Sequence, residues 1–207
     1  MLGRPARRAD RRGDPVRWLT LYARSRRAPT SLAVVLISAV AVAALGRIGG
    51  AVGPVDPRLC TLALAAGATA LAVGLGGQDL ALDRTAAIRW MPRRAVHVLL
   101  CGVLIGAVLP GALALGGQPA SLALVVRNSA GLMGLVALGA AWCGGPYAWL
   151  PPFASLSLAL VVPPAPDPAT QVLTWMLLPP GTTAGTWTAL VLAVAGTAVY
   201  AVGGPRR

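Results

Sequence analysis

Long apolar runs alternate with short polar breaks along most of the chain. Crossing a hydrocarbon layer about 30 Å thick takes about 20 apolar helical residues, with a minimum near 17. Runs that reach or approach this length lie at 30–46, 59–76, 95–116, 128–144, 146–162 and 184–202. The pattern predicts an all-α, polytopic integral membrane protein with six transmembrane helices.

Two of these runs have ends that the pattern leaves open. Residues 121–126 are apolar and could extend the fourth run, with Arg127 reaching outward to the membrane interface. Pro151 and Pro152 lie inside the fifth run and weaken it as a helix. Residues 169–180 are too short to cross, so we expect a re-entrant or interfacial piece there.

The first 28 residues differ from the rest and form a basic segment ahead of a transmembrane domain at 29–207. Asp14 is suited to an N-cap and Pro15 to the first helical position, which favours a helix over 15–27. One face of this helix would carry Trp18 and Tyr22, and the opposite face Arg17, Arg24 and Arg27. This predicts an N-terminal amphipathic helix lying in the headgroups, with Trp90, in the charged stretch before the third run, as a further interface anchor. The alternative to this amphipathic helix is an unstructured basic tail. Ser25-Arg26-Arg27 ahead of an apolar run could also be a twin-arginine signal, but Pro29 and the later spans favour the run at 30–46 as a first transmembrane helix that is not removed.

Composition supports a membrane protein. Hydrophobic residues make up 56% of the chain and charged residues 12%, whereas soluble domains are about 25% charged. All 18 basic residues are arginine, and the net charge is +12. The arginines lie beside apolar runs and are not interleaved with stacking aromatics, which favours an anionic membrane surface over nucleic acid.

The arginines also predict an orientation. An even number of spans puts both termini on one side, and the arginines assigned to the other side are Arg47, Arg58 and Arg127. Because positively charged loops stay in the cytoplasm, we expect both termini to be cytoplasmic and the protein to lie in the cytoplasmic membrane as a multi-pass protein.

The sequence offers no candidate catalytic group. A chain without lysine has no Walker lysine, and the one histidine, His97, suits an interfacial position better than a proton site. Gly102 and Gly106 have the spacing that permits close helix approach. The cysteines have no metal-site spacing and are interpreted as small hydrophobes; they are Cys60, Cys101 and Cys143. We therefore predict no enzyme activity and no metal.

One strongly charged stretch interrupts the apolar pattern, between the second and third runs. Residues 77–95 read GQDLALDRTAAIRWMPRRA and cannot lie in hydrocarbon. With cytoplasmic termini this stretch faces the cytoplasm, where it can serve as a contact surface.

The layout resembles the type-2 exporter class of ATP-binding-cassette transporter permeases. Residues 15–27 are similar to its elbow helix, 79–92 to its coupling helix and 169–180 to its re-entrant element before the last span. Three segments resemble small actinobacterial members of this class: DLALDRTAAIRWMPRRAVH, VRNSAGLMGLVALGAAW and WMLLPPGTTAGTW.

This resemblance implies a permease subunit that is coupled through the 79–94 cytoplasmic loop to a separate ATPase subunit. ATP would be bound by that partner, so the chain itself would hold no cofactor. The implied ATPase-coupling contacts are Leu82, Asp83, Arg84, Thr85 and Ile88. Further expected partners are a second permease copy, as a homodimer, or a paralogue, together with the lipid bilayer.

Two other classes stay open. One is a non-transporting membrane accessory or scaffold protein of the assembly or immunity type. The other is a proton-coupled carrier, which is less favoured because no acidic residue lies within a predicted span.

Overall fold

The computed structural model describes residues 28–48, 55–75, 90–115, 120–163 and 165–206. Within these ranges every regular element is a helix, which confirms the all-α prediction for this part of the chain. The α-helices are α1 (Ala28–Ile48), α2 (Pro57–Ala72), α3 (Trp90–Leu115), α4 (Leu122–Trp142), α5 (Leu150–Val161), α6 (Pro168–Leu173) and α7 (Thr183–Gly203).

Four helical stretches in this part are long and apolar enough to cross a membrane. They are α2 with its 3-10 extension to Leu75, then α3, α4 and α7. The apolar stretch described within α1 is shorter, Leu32–Leu45. With 12 residues, α5 is about 18 Å long, less than the hydrocarbon thickness of about 30 Å. The described part of the chain therefore has the apolar helices of a membrane protein, with four that are long and apolar enough to cross.

Helix starts follow local sequence signals. Asp56 accepts the backbone N–H of Arg58 at 2.8 Å, with Pro57 opening α2. Asp167 and Pro168 repeat this arrangement at α6. A proline costs nothing at the first helical position, because its missing N–H would have no helical partner there.

The same rule explains why α5 differs from the predicted span at 146–162. A 3-10 turn at Gly145–Tyr147 precedes it, and the helix begins at Leu150. Pro151 and Pro152 therefore occupy its first turn, where they support a helix start.

The fourth span begins earlier than the predicted 128–144. Ser121 caps α4 by accepting the N–H of Leu124 at 3.4 Å, so the apolar residues 121–126 do extend it. Arg127 consequently lies more than a turn inside the helix. Its side chain is 8% exposed, so the prediction that it reaches outward is wrong.

α4 is the central helix of the bundle. It packs against α2, α3, α5 and α7, and between Gly131 and Ala141 every residue is buried or half-buried. The tightest neighbour is α7: a Cβ on Gly134 would collide with the Leu192 carbonyl, and one on Gly196 with the Gly134 carbonyl. The absence of side chains at these two glycines lets the two backbones touch.

Large apolar side chains cover the outside of the bundle, while many interior positions are small. Ile37, Val103 and Val194 are 67%, 67% and 62% exposed. Ala68 and Ala137 are fully buried. An apolar exterior of this extent suits hydrocarbon, in which Leu, Ile and Val need no shielding from water.

The two ends of the bundle are distinct, and each is named here after an arginine. At the Arg94 end, the Tyr200 hydroxyl donates to the Leu75 carbonyl at 2.9 Å, and the Arg206 N–H donates to the Ala140 carbonyl at 3.0 Å. Gly204, with φ +68°, packs against the Arg94 guanidinium. At the opposite, Arg127 end lie the start of α2 and the segment 174–182 between α6 and α7.

Candidate functional site

A buried polar cluster joins three parts of the chain at the Arg127 end, and Arg127 is its centre. All three guanidinium nitrogens donate hydrogen bonds. Nη2 donates to the carbonyls of Leu178 (2.8 Å) and Met176 (3.4 Å), and Nη1 to that of Pro179 (3.1 Å). Nε donates to Oδ1 of Asn128 at 3.1 Å. The partners of this cation are therefore neutral oxygens.

Asn128 and Thr61 extend the cluster to α2. Both are fully buried. Nδ2 of Asn128 donates to the Met176 carbonyl at 2.8 Å and to the Thr61 hydroxyl at 3.1 Å. The Thr61 hydroxyl donates in turn to the Pro57 carbonyl at 2.8 Å. The cluster thus ties α2, α4 and the segment 174–182 together.

The cluster provides hydrogen-bond donors for backbone carbonyls of the segment 174–182. After α6 the chain runs through turns, in which the carbonyls do not follow the i to i+4 pattern of a helix until Thr182, whose carbonyl accepts the N–H of Thr186. An unsatisfied carbonyl in hydrocarbon costs several kcal/mol, so non-helical backbone at membrane depth requires polar partners inside the protein. Arg127 and Asn128 supply the donors.

Apolar packing holds the same segment from the other side. Trp175 and Met176 are 2% and 0% exposed. The Trp175 ring lies over Gly131, where a Cβ would overlap it. The predicted piece at 169–180 is therefore a six-residue helix followed by a buried turn, seated on α4.

A second feature is an apolar groove between α3, α4 and α7, with a volume of about 340 Å³. Its floor includes Gly102, Met133 and Ala193, and Ser129 and Thr197 supply the polar groups. Leu99, Val103 and Val126 form its rim and are 59%, 67% and 62% exposed. The groove therefore opens on the outer face of the bundle.

The predicted coupling contacts fall outside the described residues, as do the predicted anchors of the N-terminal helix. This applies to Leu82, Asp83, Arg84, Thr85 and Ile88, and to Arg17, Trp18, Tyr22, Arg24 and Arg27.

Trp90, the remaining predicted anchor, is the first residue of α3 and is half-buried. Arg93 lies over its ring, 5.9 Å from the centroid. Its indole Nε1 is buried and makes no hydrogen bond within the described part of the chain.

The histidine and the three cysteines all lie within the described residues. His97 and Cys101 lie one turn apart on α3, with 3.9 Å between Nε2 and Sγ. Cys60 and Cys101 are buried, as expected of small hydrophobes, while Cys143 is exposed at the end of α4. Among the described residues no group of three or more histidine, cysteine or acidic side chains could hold a metal ion.

Sequence reasoning missed the cluster partners Asn128 and Thr61. A signal was present, because an adjacent Arg–Asn pair within an apolar run marks polar groups that face the bundle interior. The partner carbonyls of Met176, Leu178 and Pro179 left no signal, since every residue carries a carbonyl.

Compared with models of protein families, with curated proteins and with solved structures, the chain has no significant match. The resemblance to exporter permeases therefore rests on the layout and segments of the sequence itself.

Proposed function

We propose that this protein is the membrane-spanning permease subunit of an ATP-binding-cassette exporter. In this proposal six segments cross the bacterial inner membrane and both termini are cytoplasmic. α1 and α5 complete the six, α5 together with the 3-10 turn Gly145–Tyr147 that precedes it.

The observation that carries the proposal is where the charged connection is attached. α2 with its extension ends at Leu75 and α3 begins at Trp90, both at the Arg94 end. The connection 76–89 must therefore begin and end there, beside the arginines of α3 and of the C-terminal residues. A contact surface at that point can transmit a push along α2 and α3 into the bundle.

The Arg127 end supports the same proposal. A short helix and a buried turn precede the last long helix, and a polar cluster locks them to α2 and α4. A bundle braced in this way at one end can move as a unit when force is applied at the other. The ATPase subunit would hydrolyse ATP, and this chain would supply the path and the mechanical linkage.

The test is co-purification from native membranes. Tagged protein is isolated with its partners, and Asp83→Ala/Arg84→Ala is compared with Asp56→Ala/Arg58→Ala, which changes the same residue types at the opposite end. We expect an ATPase to co-purify with the wild type and with the Asp56/Arg58 variant, and to be lost from the Asp83/Arg84 variant.

Recovery of well-folded protein without any ATPase in all three samples would refute the permease proposal. It would favour the accessory or scaffold alternative. Equal ATPase recovery with all three would keep a partner but remove the loop at 79–94 as its contact.

A further inference from the structure

The apolar groove and the arginines of the Arg94 end lie on one seam, between α3 and α7. From Arg94 onward, every fourth residue of α3 faces this seam: Val98, Gly102 and Gly106 all line the groove. On α7, Thr197 lines the groove, and Gly204, directly after the end of α7, packs against the Arg94 guanidinium. The groove therefore begins one helical turn from a cation.

The length of the groove fits part of an acyl chain. Along α3 it runs from Val98 to Ala107, which at 1.5 Å per residue is about 14 Å. This stretch is the middle part of α3, which extends from Trp90 to Leu115. An acyl chain that enters from the Arg94 end therefore runs along the helix toward the centre of the bundle.

Among the described residues, the charge at its mouth is positive. Arg93 and Arg94 lie in the first turns of α3, and Arg206 follows Gly204 by two residues. The aspartates in the described part of the chain, Asp56 and Asp167, both cap helices at the opposite end. Guanidinium groups bind phosphate oxygens through paired hydrogen bonds, so the mouth suits a phosphate.

We propose that this seam is a binding site for an anionic phospholipid. The phosphate lies among Arg93, Arg94 and Arg206 at the Arg94 end. One acyl chain occupies the groove between α3, α4 and α7, past Gly102 and Ser129. The site does not depend on the exporter proposal, since it uses only described residues of this chain.

The experiment is native mass spectrometry of the full chain, released from detergent and titrated with phosphatidylglycerol or with phosphatidylcholine carrying the same acyl chains. The two lipids share hydrocarbon but differ in net charge. We expect phosphatidylglycerol to bind on the order of ten-fold more tightly, as one first adduct per chain. Inorganic phosphate at the same concentration should not compete, because it lacks the chain that fills the groove.

Two glycine variants test the groove. In Gly102→Leu the new side chain fills the groove, since a Cβ there meets Met133 at an ordinary 3.6 Å. We expect the variant to bind both lipids about ten-fold or more weakly, because the groove contributes to affinity mainly by burying the acyl chain. Gly111→Leu on the same helix meets nothing within 4 Å and should bind as the wild type does.

Arginine variants test the phosphate. Arg94→Gln should remove most of the preference for phosphatidylglycerol while leaving phosphatidylcholine binding unchanged. Should that variant misfold through loss of its packing on Gly204, Arg93→Gln/Arg206→Gln changes two exposed side chains instead. The control Arg47→Gln/Arg58→Gln, at the other end, should keep the preference.

Three results would overturn the proposal. Equal affinity of the wild type for the two lipids would mean that no phosphate site exists. Full competition by inorganic phosphate would mean an anion site without a lipid chain. A dimer that Gly102→Leu abolishes, with lipid binding unaffected, would mean that a second copy of the chain covers the groove.

Discussion

At the scale of single residues, Arg127 performs for a buried turn the role that water performs for an exposed loop. Its guanidinium donates to three carbonyls of the segment 174–182, those of Met176, Leu178 and Pro179. Five N–H donors in a rigid fork suit such a spread of acceptors, whereas the ammonium of lysine offers three on a flexible stem.

Arg127→Leu should therefore destabilise the fold by about 3 kcal/mol or more, because hydrogen bonds from a charged donor contribute about 1.5–3 kcal/mol each. Arg127→Lys should fall between this variant and the wild type. The measurement is the thermal unfolding midpoint in detergent.

The matched control is Arg47→Leu, an exposed arginine at the same end, which should unfold with the wild type. An unchanged midpoint for Arg127→Leu would show that the carbonyls find other donors.

Asp167 gives a second residue-scale prediction. Its pKa is lowered, chiefly because the carboxylate accepts the backbone N–H of Thr170 at 2.8 Å. A lowered folded pKa means that the cap stabilises α6 above the unfolded pKa of about 3.9 and is lost as pH falls through the folded value. Amide exchange of Thr170, corrected for its intrinsic pH dependence, should accelerate only in acid below about pH 4.

Asp167→Asn keeps a capping oxygen without titrating, so Thr170 protection should no longer depend on acid. Asp167→Ala should lose that protection at every pH. An acid response that survives in Asp167→Asn would assign the effect to another group.

At the scale of elements, the bundle is organised by the crossing of α4 and α7. Gly134 and Gly196 bring the two backbones into contact at a point where any side chain would overlap main-chain atoms. Lipid supplies no hydrophobic driving force for association of helices, so close van der Waals packing at small residues stabilises such crossings instead.

Gly134→Ala should consequently destabilise the fold by roughly 3 kcal/mol, since the Leu192 carbonyl cannot move away without shifting α7. Gly111→Ala on α3, which faces open space, should stay within about 1 kcal/mol of the wild type. Chemical unfolding of both variants measures the difference, and equal stabilities would show that α4 and α7 can separate without cost.

At the scale of the whole molecule, the exposed Cys143 reports which way the bundle faces. It lies at the Arg94 end, and the other two thiols, Cys60 and Cys101, are buried. If that end is cytoplasmic, a membrane-impermeant maleimide should label Cys143 in inside-out vesicles but not in intact cells.

Arg58→Cys in a Cys143→Ser background provides the reverse reporter and should be labelled in intact cells. Cys143→Ser alone should stay unlabelled in both preparations. Labelling of Cys143 in intact cells would reverse the proposed orientation and place the 76–89 connection outside, away from any cytoplasmic ATPase.

The sequence by itself determined where several apolar helices lie: the runs predicted at 30–46, 59–76 and 184–202 end within two residues of the observed helices. Hydrophobic runs act within a few residues, so they can be recognised locally. The caps Asp56–Pro57 and Asp167–Pro168 act over the same short range, but they were not among the predictions. The sequence predicted the bounds of α4 and α5 less well, because Arg127 and the proline pair at 151–152 looked like residues that interrupt a membrane-spanning helix. Both residue types are compatible with a helix once their partners or positions are known.

Only the tertiary structure decided which helices pack against one another and which polar groups they bury. The burial of Arg127 depends on carbonyls about 50 residues further along the chain, and the site proposed for a lipid depends on a seam between α3 and α7. Hydrophobic periodicity records which face of a helix avoids water. In a membrane every face of a helix avoids water, so the hydrophobic pattern does not show which face packs against a neighbouring helix. Packing geometry and polar partners select the arrangement instead.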